Sequence, residues 1–385
     1  MTPPTGASPA RVRVLMLVDC LGAKSGGAER FMVGLATHLP PARYEVWVCT
    51  TRVGNGPLID SLRNAGVKHV SLGRRSKTDL PRLRGLARLL RTERFDILHA
   101  HMFGSNIWAT LFGRLFRVPV VIAHEQTWSY EGSTARRLLD GHFIGRFATR
   151  FVAVSTADRD RMISIEGVRP SKTECIPNAY IPRANATNGN LREELGLEPD
   201  VPLIGTIALM RPQKALDVLL DAHAAVLRSH PRSCLILAGD GDCREALERK
   251  ASELDLGDRV RFLGVRQDAD RILRSVDIAA LSSDFEGTPL FMLECMANRT
   301  PLVATDVGGI REVLTDGESA ILVPPRDPRS LGRAICALID DPARREAIGQ
   351  AGNEQLGPYR IEVITERFAH LYDELLQERG QAPRP

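Results

Sequence analysis

The chain alternates short apolar runs with longer amphipathic stretches. In its first half, near-continuous apolar runs are separated by segments with helical spacing, such as AERFMVGLATHL. Apolar runs without a polar face are typical of parallel strands, because each crossover returns a helix over the sheet and both faces become buried. We therefore predict strands at 11–19, 44–50, 69–73, 95–101, 119–125 and 150–155.

The same alternation restarts after the polar stretch RANATNGN at 183–190. The second set of predicted strands lies at 202–209, 234–240, 260–264, 277–283, 301–306 and 319–325. The fold class is therefore α/β, with two Rossmann-like domains.

We place the domains at 1–183 and 201–358, with a linker at 184–200 and a terminal helix and tail at 359–385. The terminal pattern IEVITERFAHLYDELL has no strand after it, so we predict a helix that is able to cross back to the first domain. In open parallel sheets ligands bind beyond the carboxyl ends of the strands. We therefore expect a working site in a cleft between two facing domains.

The basic residues are concentrated in the first half of the chain. Residues 1–190 hold 27 of the 51 Lys and Arg but 14 of the 47 Asp and Glu, which gives net charges of +13 there and −9 in the remainder. This asymmetry favours an anionic partner for the first domain, such as a membrane surface or a lipid phosphate. Nucleic acid is not favoured, since aromatic residues do not alternate with the basic ones.

Cysteine spacing and hydropathy exclude several classes of protein. The seven cysteines are scattered without a CxxC pair, which argues against a disulfide framework or a zinc site. No apolar run reaches the roughly 18–20 residues of a membrane span, and the N-terminus lacks an apolar signal core. We expect a cytoplasmic protein.

Three groups of polar or glycine residues follow predicted strands. Gly26 and Gly27 precede a helix, where backbone N–H groups could approach an anion, although a plain turn is equally compatible with this pair. Two predicted strands end in polar residues: His99, His101, His124 and Glu125. A histidine there could bind a sugar hydroxyl or phosphate or relay a proton. For His99 and His101, a core or capping role is the alternative.

Arg211 and Lys214 lie between a strand and the following helix, where two cations could hold a diphosphate. A solvated helix start is the alternative.

Glu286 and Glu294 flank the apolar segment of DFEGTPLFMLECMA. We predict Thr288 as the N-cap and Pro289 as the first helical residue, which leaves Glu286 in a loop and Glu294 roughly 8 Å along the helix axis. This separation does not favour the roughly 5 Å spacing of a retaining hydrolase pair. We interpret them as two binding acids; exposed surface glutamates are disfavoured by the apolar residues around Glu294.

These segments resemble the retaining glycosyltransferases of family 4, which have the GT-B fold. Glu286 and Glu294 match the donor-site signature E-x7-E, and SGGAERFMVGLA, FDILHAHM, VAVS, IPNA, RPQK, LAGDG and VRFLG follow in the expected order over nearly the whole chain. The resemblance implies that Glu294 binds the nucleotide ribose and Glu286 a hydroxyl of the donor sugar. It also implies that Arg211 and Lys214 bind the diphosphate and that His124 faces the sugar.

The resemblance further implies that the backbone of Gly287, Thr288, Pro289 and Leu290 faces the phosphate or sugar, with Gly26 and Gly27 opposite. Members of this kind need no metal and no cofactor; the nucleotide-diphosphate-sugar is a substrate. The implied mechanism is front-face substitution, in which the leaving diphosphate helps to deprotonate the acceptor hydroxyl and the anomeric configuration is retained.

The chain departs from the family pattern at three places. Leu209 stands where an arginine is usual, Ala215 where a glycine is usual, and Asn178 is followed by Ala179 instead of glycine. Arg211 lies two residues beyond the position of the usual arginine. Of the implied roles, diphosphate binding by Arg211 and Lys214 is therefore the one that these changes affect most.

The stretch 73–94 has eight basic residues and two acidic ones. On a helix, Arg84, Arg88 and Arg91 share one face, which suggests contact with anionic lipid and, with His101, binding of the acceptor. A helix packed on its own sheet with arginines in water is the alternative. We expect a peripheral membrane enzyme of cell-surface polysaccharide or glycolipid synthesis, with a glycan or lipid-linked acceptor. Two alternative functions are a non-catalytic nucleotide-sugar-binding protein and a GT-B epimerase or phosphorylase.

Overall fold

The computed structural model describes residues 11–22, 26–76, 78–126, 133–183 and 189–380. The chain divides into two compact units, one of them Asn178–Arg360 and the other Met1–Pro177 together with Ile361–Pro385. The sequence-based division was different, at 183 with a linker at 184–200. Leu191 within that range is fully buried in the core of the second unit.

The first unit contains a parallel sheet of seven strands in the order β3-β2-β1-β4-β5-β6-β7. The strands are β1 (Val12–Val18), β2 (Tyr44–Arg52), β3 (Lys68–Arg74), β4 (Ile97–His101), β5 (Val120–His124), β6 (Arg150–Ala153) and β7 (Thr173–Cys175). The six predicted strands are confirmed. The prediction missed β7, because its three residues, TEC, have no apolar run.

Helices connect these strands. They are α1 (Gly27–His38), α2 (Pro57–Asn64), α3 (Arg84–Glu93), α4 (Phe103–Leu115), α5 (Thr134–Leu138), α6 (Gly145–Phe147) and α7 (Thr156–Ser164), with a π-helix at Leu139–Ile144 and 3₁₀ turns at Pro81–Leu83 and Pro170–Lys172. Leucines of α3 pack with β1 and β4 in one core cluster, so the apolar face of this helix is buried on its own sheet.

The second unit contains a parallel sheet of six strands in the order β10-β9-β8-β11-β12-β13. The strands are β8 (Leu203–Ile207), β9 (Cys234–Ala238), β10 (Val260–Gly264), β11 (Ile278–Leu281), β12 (Leu302–Thr305) and β13 (Ile321–Val323), each inside or at a predicted run. Its helices are α8 (Leu191–Glu194), α9 (Leu216–Ser229), α10 (Arg244–Glu253), α11 (Ala269–Ser275), α12 (Leu290–Ala297), α13 (Ile310–Val313), α14 (Pro328–Asp340) and α15 (Pro342–Glu354), with 3₁₀ turns at Pro212–Lys214, Gly257–Arg259 and Gly357–Tyr359.

The last helix, α16 (Ile361–Glu378), belongs to the first unit. Its Phe368 and Tyr372 are fully buried, and Asp373 accepts a hydrogen bond from Arg43 over 2.6 Å. The apolar face of α16 therefore completes the core beside α1. In the described part of the chain, no helix combines the length and the apolar composition that crossing a bilayer requires.

Both sheets share the doubly wound strand order, in which the connection reverses direction between the first and fourth strands. The reversal lies between β1 and β4 in one unit and between β8 and β11 in the other. Loops leave in opposite directions at such a point and open a crevice where ligands bind.

Candidate active site

The reversal point of the second unit holds a partly buried ion pair. Lys214 follows β8 and Glu286 follows β11; Lys214 Nζ donates to Glu286 Oε1 over 2.5 Å. Ser283 Oγ donates to the same oxygen over 2.6 Å, and Glu286 is 4% exposed. Two strand ends are thus joined by a charged, hydrogen-bonded pair, which is expected for a ligand site and costly for a purely structural core.

The backbone of Glu286 is held by a glycine turn after β12. Gly309 N donates to the Glu286 carbonyl oxygen over 3.2 Å, and Gly308 has a φ of 51°. A Cβ on Gly308 would lie 1.8 Å from that oxygen, so only glycine allows this approach. The position of the Glu286 loop therefore depends on the Val-Gly-Gly segment at 307–309.

Helix α12 begins one residue later than predicted. Its first residue is Leu290, and Pro289, with ψ of 129°, is the N-cap, so the assignment of Thr288 as N-cap was wrong. Extended Pro289 keeps Thr288 in the loop, where the Thr288 carbonyl oxygen accepts from Asn178 Nδ2 over 2.9 Å. Gly287 to Pro289 thus form the loop that leads to the helix N-terminus.

Glu294 lies inside α12 and is paired with an arginine that the sequence did not point to. Arg183 Nη2 donates to Glu294 Oε1 over 2.8 Å, while Arg183 Nη1 donates to the carbonyl oxygen of Gln267 over 3.1 Å. Glu294 is 4% exposed, so the reading of Glu286 and Glu294 as surface residues is excluded. Arg183 had no local signal, because it begins a polar stretch that resembled a linker.

Arg211 has a different setting from Lys214. Its side chain is exposed and forms no ion pair with any residue that the structure describes. The backbone nearby is tightly packed: Ser282 Oγ donates to the Lys214 carbonyl oxygen over 2.9 Å, and Ala215 adopts a left-handed conformation with φ of 45° and ψ of 41°. The structure therefore joins Lys214 to Glu286 and leaves Arg211 facing solvent.

The first unit holds a stack of three buried histidines at the carboxyl ends of β4 and β5. His101 and His124 are the last residues of these strands and lie in register, and His99 is two residues earlier on β4. The ring centroids of His99 and His101 are 4.3 Å apart, and those of His101 and His124 are 5.0 Å apart. Parallel pairing of adjacent strands accounts for this convergence.

The three rings are neutral. Burial lowers the pKa of His124 to about 3, and burial lowers the pKa of His99 and of His101 well below the usual range. One nitrogen from each ring lies within 4.8 Å of the other two, a spacing that could admit a metal ion.

A hydrogen-bond chain runs from α16 through this stack. Tyr372 Oη lies 2.7 Å from His99 Nδ1, His99 Nε2 lies 3.3 Å from His124 Nδ1, and Gln126 Nε2 lies 3.4 Å from His124 Nε2. His99 therefore has the core role that was weighed for it. His101 is fully buried, and neither ring nitrogen has a hydrogen-bond partner among the described residues.

Glu125 lies next to the stack in an acidic environment. Burial raises its pKa to about 8, and nearby Asp140, Glu166 and Asp158 raise it too, while Arg136, 3.2 Å away, lowers it. Burial outweighs the ion pair, so we regard Glu125 as a carboxyl that takes up a proton near neutral pH.

The remaining predicted residues lie away from these contacts. The N–H of Gly26 donates to the Glu29 carboxylate over 2.9 Å, so a side chain already binds at this glycine pair; Gly27 is the first residue of α1. Arg84 and Arg88 are exposed on α3, the arrangement of a helix packed on its own sheet.

Comparison with known proteins identifies the family. A model described as "Glycosyltransferase Family 4" matches residues 25–182, and one described as "Glycosyl transferases group 1" matches residues 201–341. The chain belongs to glycosyltransferase family 4. The resemblance drawn from the sequence motifs is thereby confirmed, and the two matches correspond to its two Rossmann-like domains.

This family 4 glycosyltransferase is similar to curated enzymes named D-inositol 3-phosphate glycosyltransferase. The protein of Kineococcus radiotolerans is 29% identical, with 94% of each chain covered, and that of Geodermatophilus obscurus is 28% identical, with 98% of this chain and 92% of the relative covered.

Solved structures confirm the GT-B fold. Anabaena Alr3699/HepE in complex with UDP and glucose has a TM-score of 0.82 at 20% identity, covering 94% of this chain and 100% of that one. WaaG, a glycosyltransferase involved in lipopolysaccharide biosynthesis, has a TM-score of 0.74 at 15% identity, covering 93% and 99%.

Proposed function

We propose that this glycosyltransferase moves a sugar from a nucleotide-diphosphate-sugar to an acceptor hydroxyl with retention of the anomeric configuration. The observation that carries the proposal is the partly buried Lys214–Glu286 pair at the reversal point of the second sheet. Glu294, also buried, lies in the helix that begins four residues after Glu286. This placement supports our proposal that the two acids contact successive parts of one extended ligand.

The roles of these residues follow from their chemistry. Lys214 is a point charge that can stabilise the diphosphate as negative charge develops on it, and the first N–H groups of α12 have no partner within the helix. Glu286, an acceptor of hydrogen bonds, binds a hydroxyl of the donor sugar and Glu294 the ribose. Exposed Arg211 is free to reach the outer phosphate oxygens.

In this mechanism the protein supplies no nucleophile. The leaving phosphate oxygen takes the proton of the acceptor hydroxyl while the acceptor oxygen bonds to the anomeric carbon on the same face. We propose no cationic or proton-transfer role for His124, which is neutral at physiological pH and has both ring nitrogens in the hydrogen-bond chain with His99 and Gln126. We propose that the reaction needs neither metal nor cofactor.

UDP is the nucleotide to test first, because the structural relative HepE was solved with UDP and with UDP-glucose. For the acceptor we propose a phosphate-bearing compound, either a lipid-linked glycan of cell-surface polysaccharide or glycolipid synthesis or an inositol phosphate, since the curated relatives are named for D-inositol 3-phosphate. The net charge of +13 in the first half supports an anionic acceptor.

We also propose peripheral contact with the inner face of an anionic membrane. Arg84, Arg88 and Arg91 are exposed on α3, and the neighbouring α4 exposes Leu111 and Leu115. Charges and apolar side chains on adjacent helices suit a bilayer surface. Flotation on vesicles of phosphatidylglycerol, compared with phosphatidylcholine, tests this contact; equal flotation on both would exclude an electrostatic contribution.

The deciding experiment is ligand-induced thermal stabilisation, followed by product analysis. A ligand that binds only the folded state raises the melting temperature. We expect one of UDP, GDP, ADP or their sugars to stabilise the wild type but not Glu294→Ala. Sugar transfer must then persist in EDTA, and the transferred sugar must have the same anomeric configuration in the product as in the donor.

Other outcomes identify the rivals. Stabilisation without transfer to any acceptor indicates a non-catalytic nucleotide-sugar-binding protein, for which Leu209 in place of the usual arginine is the structural reason. Product that forms without an acceptor indicates an epimerase.

A further inference from the structure

The first unit has a cavity whose walls are dominated by arginine. It has a volume of about 610 Å³ and is lined by Cys20, Arg52, Val53, Gly73, Arg74, Arg75 and Arg82. We call this the arginine pocket. Of the seven described residues that line it, four carry a positive charge and none carries a negative one.

The sheet places this pocket at a ligand-binding edge. β1, β2 and β3 are adjacent and parallel, so their carboxyl ends lie together. Arg52 ends β2 and Arg74 ends β3, and the two residues are directly paired in the ladder. Like charges opposite each other on neighbouring strands destabilise a sheet, so this pairing is unfavourable unless negative groups lie nearby.

Among the residues that the structure describes, acidic side chains form ion pairs with two of the pocket arginines. Asp19 pairs with Arg52, and Asp79 pairs with Arg82 over 3.3 Å. Arg74 is 6% exposed; its Nε donates to the Asp79 carbonyl oxygen over 3.2 Å, and its guanidinium lies 5.5 Å from the ring centroid of Trp108. A buried cation fixed in this way is a rigid element of a binding site.

The backbone at Gly73 leaves room for the side chain of Arg82. Gly73 has a φ of 69°, and a Cβ there would lie 2.8 Å from Arg82 Nη1. A larger residue would displace this guanidinium from the pocket. Arg75 is exposed, and its side chain forms no ion pair with a described residue, while its backbone N–H donates to Asp79 over 3.1 Å. Arg75 and Arg82 thus have N–H donors available to a ligand.

We propose that the arginine pocket binds a phosphate group of the acceptor. Planar guanidinium groups recognise phosphate oxygens in pairs, and four arginines line this pocket. Strands lie about 4.8 Å apart, so β2 lies roughly 10 Å from β4, which ends at His101. That span suits an acceptor whose phosphate occupies the arginine pocket while its hydroxyl lies near the histidine stack. The placement of the acceptor hydroxyl near the histidine stack rests on the proposed function, whereas phosphate binding in the arginine pocket does not.

Calorimetric titration with inorganic pyrophosphate and with D-myo-inositol 3-phosphate tests the proposal. We expect the Arg75→Ala/Arg82→Ala double variant to bind both roughly tenfold or more weakly than the wild type. The matched control is Arg63→Ala/Arg94→Ala, which removes two charges from the same unit outside the pocket and should bind like the wild type. All four side chains are exposed or hydrogen-bonded at the surface, so folding is checked by melting temperature.

Further measurements distinguish a lipid from a soluble source of the phosphate, and the arginine pocket from the donor site as the place where it binds. If a lipid supplies the phosphate, the double variant also floats less on vesicles containing phosphatidic acid; if a soluble acceptor supplies it, flotation is unchanged and inositol phosphate binding falls. The proposal is overturned if the double variant binds every probe like the wild type, if the control weakens equally, or if Lys214→Ala abolishes the binding instead. UDP stabilisation should persist in the double variant, so failure of the donor site and failure of the arginine pocket remain distinguishable.

Discussion

Lys214 Nζ and Glu286 Oε1 lie 2.5 Å apart, although 71 residues separate them along the chain. The contact joins the loops after β8 and β11, at the one place in the second sheet where strand connections diverge. Because Ser283 donates to the same carboxylate oxygen, the carboxylate is fixed in orientation before any ligand arrives. Such fixed groups contribute to catalysis without reorganising during the reaction.

We predict that Glu286→Gln folds normally and transfers sugar at least about 100-fold more slowly, because a neutral amide accepts hydrogen bonds more weakly and leaves Lys214 without its ionic partner. Initial rates at saturating donor, with melting temperatures, measure both quantities. Glu318→Gln, which changes an exposed glutamate of the same unit, is the control. A rate within twofold of the wild type would remove Glu286 from the site.

We predict that Arg183 and Glu294 act as a unit in nucleotide binding. Glu294→Ala removes the ribose ligand and Arg183→Ala removes the group that orients it, so each should weaken UDP binding, and the double variant should be little worse than Glu294→Ala alone. Calorimetric dissociation constants of the four proteins give the coupling. Arg232→Ala, at an exposed ion pair with Asp200, should change nothing; strictly additive losses would show that Arg183 acts independently.

We predict that Ala215→Gly stabilises the protein by about 0.5–1 kcal/mol. Ala215 has φ of 45°, where a Cβ is strained and glycine is not, and this gain exceeds the added backbone entropy of glycine in the unfolded chain. Urea denaturation measures the change. Ala225→Gly, inside α9, is the opposite control and should destabilise by about 1 kcal/mol. Equal losses in both variants would contradict the strain argument.

The sequence was sufficient to predict the sheets because both of their faces are buried. Runs such as CLILAGD and DIAALSS have no polar face, so periodicity alone locates a strand in each. The start of α12 was missed by one residue, since Thr288 followed by Pro289 is a favoured helix start and only tertiary contacts keep Thr288 in the loop. Local preference was overridden there by the bond from Asn178.

The candidate site was predictable only where it follows strand ends. Glu286, Lys214 and His124 each follow or end an apolar run, whereas Arg183 and Tyr372 lie in segments whose composition indicates a linker and an ordinary amphipathic helix. The Tyr372–His99 contact spans 273 residues of sequence. Contacts over such separations leave no local pattern, so no reasoning from spacing could pair these residues.

The stability of the first unit should depend on pH through Glu125. Burial raises the pKa of Glu125 to about 8 in the folded protein from a reference value of 4.5, so the folded state retains a proton that the unfolded chain releases. Stability from this group is therefore fully present below pH 4.5 and is lost as the pH rises to about 8, by roughly 1.4 kcal/mol per pH unit at most. The buried histidines act in the opposite direction: their neutral forms stabilise the fold above pH 6.5, and that contribution falls as the pH drops toward 3, the range set by His124.

Glu125→Gln separates the two effects, because glutamine does not titrate and can still accept a hydrogen bond from Arg136. We expect its free energy of unfolding, relative to the wild type, to increase between pH 6.5 and 8, since both proteins contain the same histidines and the histidine contribution cancels in the difference. Guanidinium denaturation at half-unit pH intervals measures the difference. Glu366→Gln, an exposed position on α16, should follow the wild-type curve. If Glu125→Gln also follows it, the carboxyl is ionised in the folded protein and its ion pair with Arg136 outweighs burial.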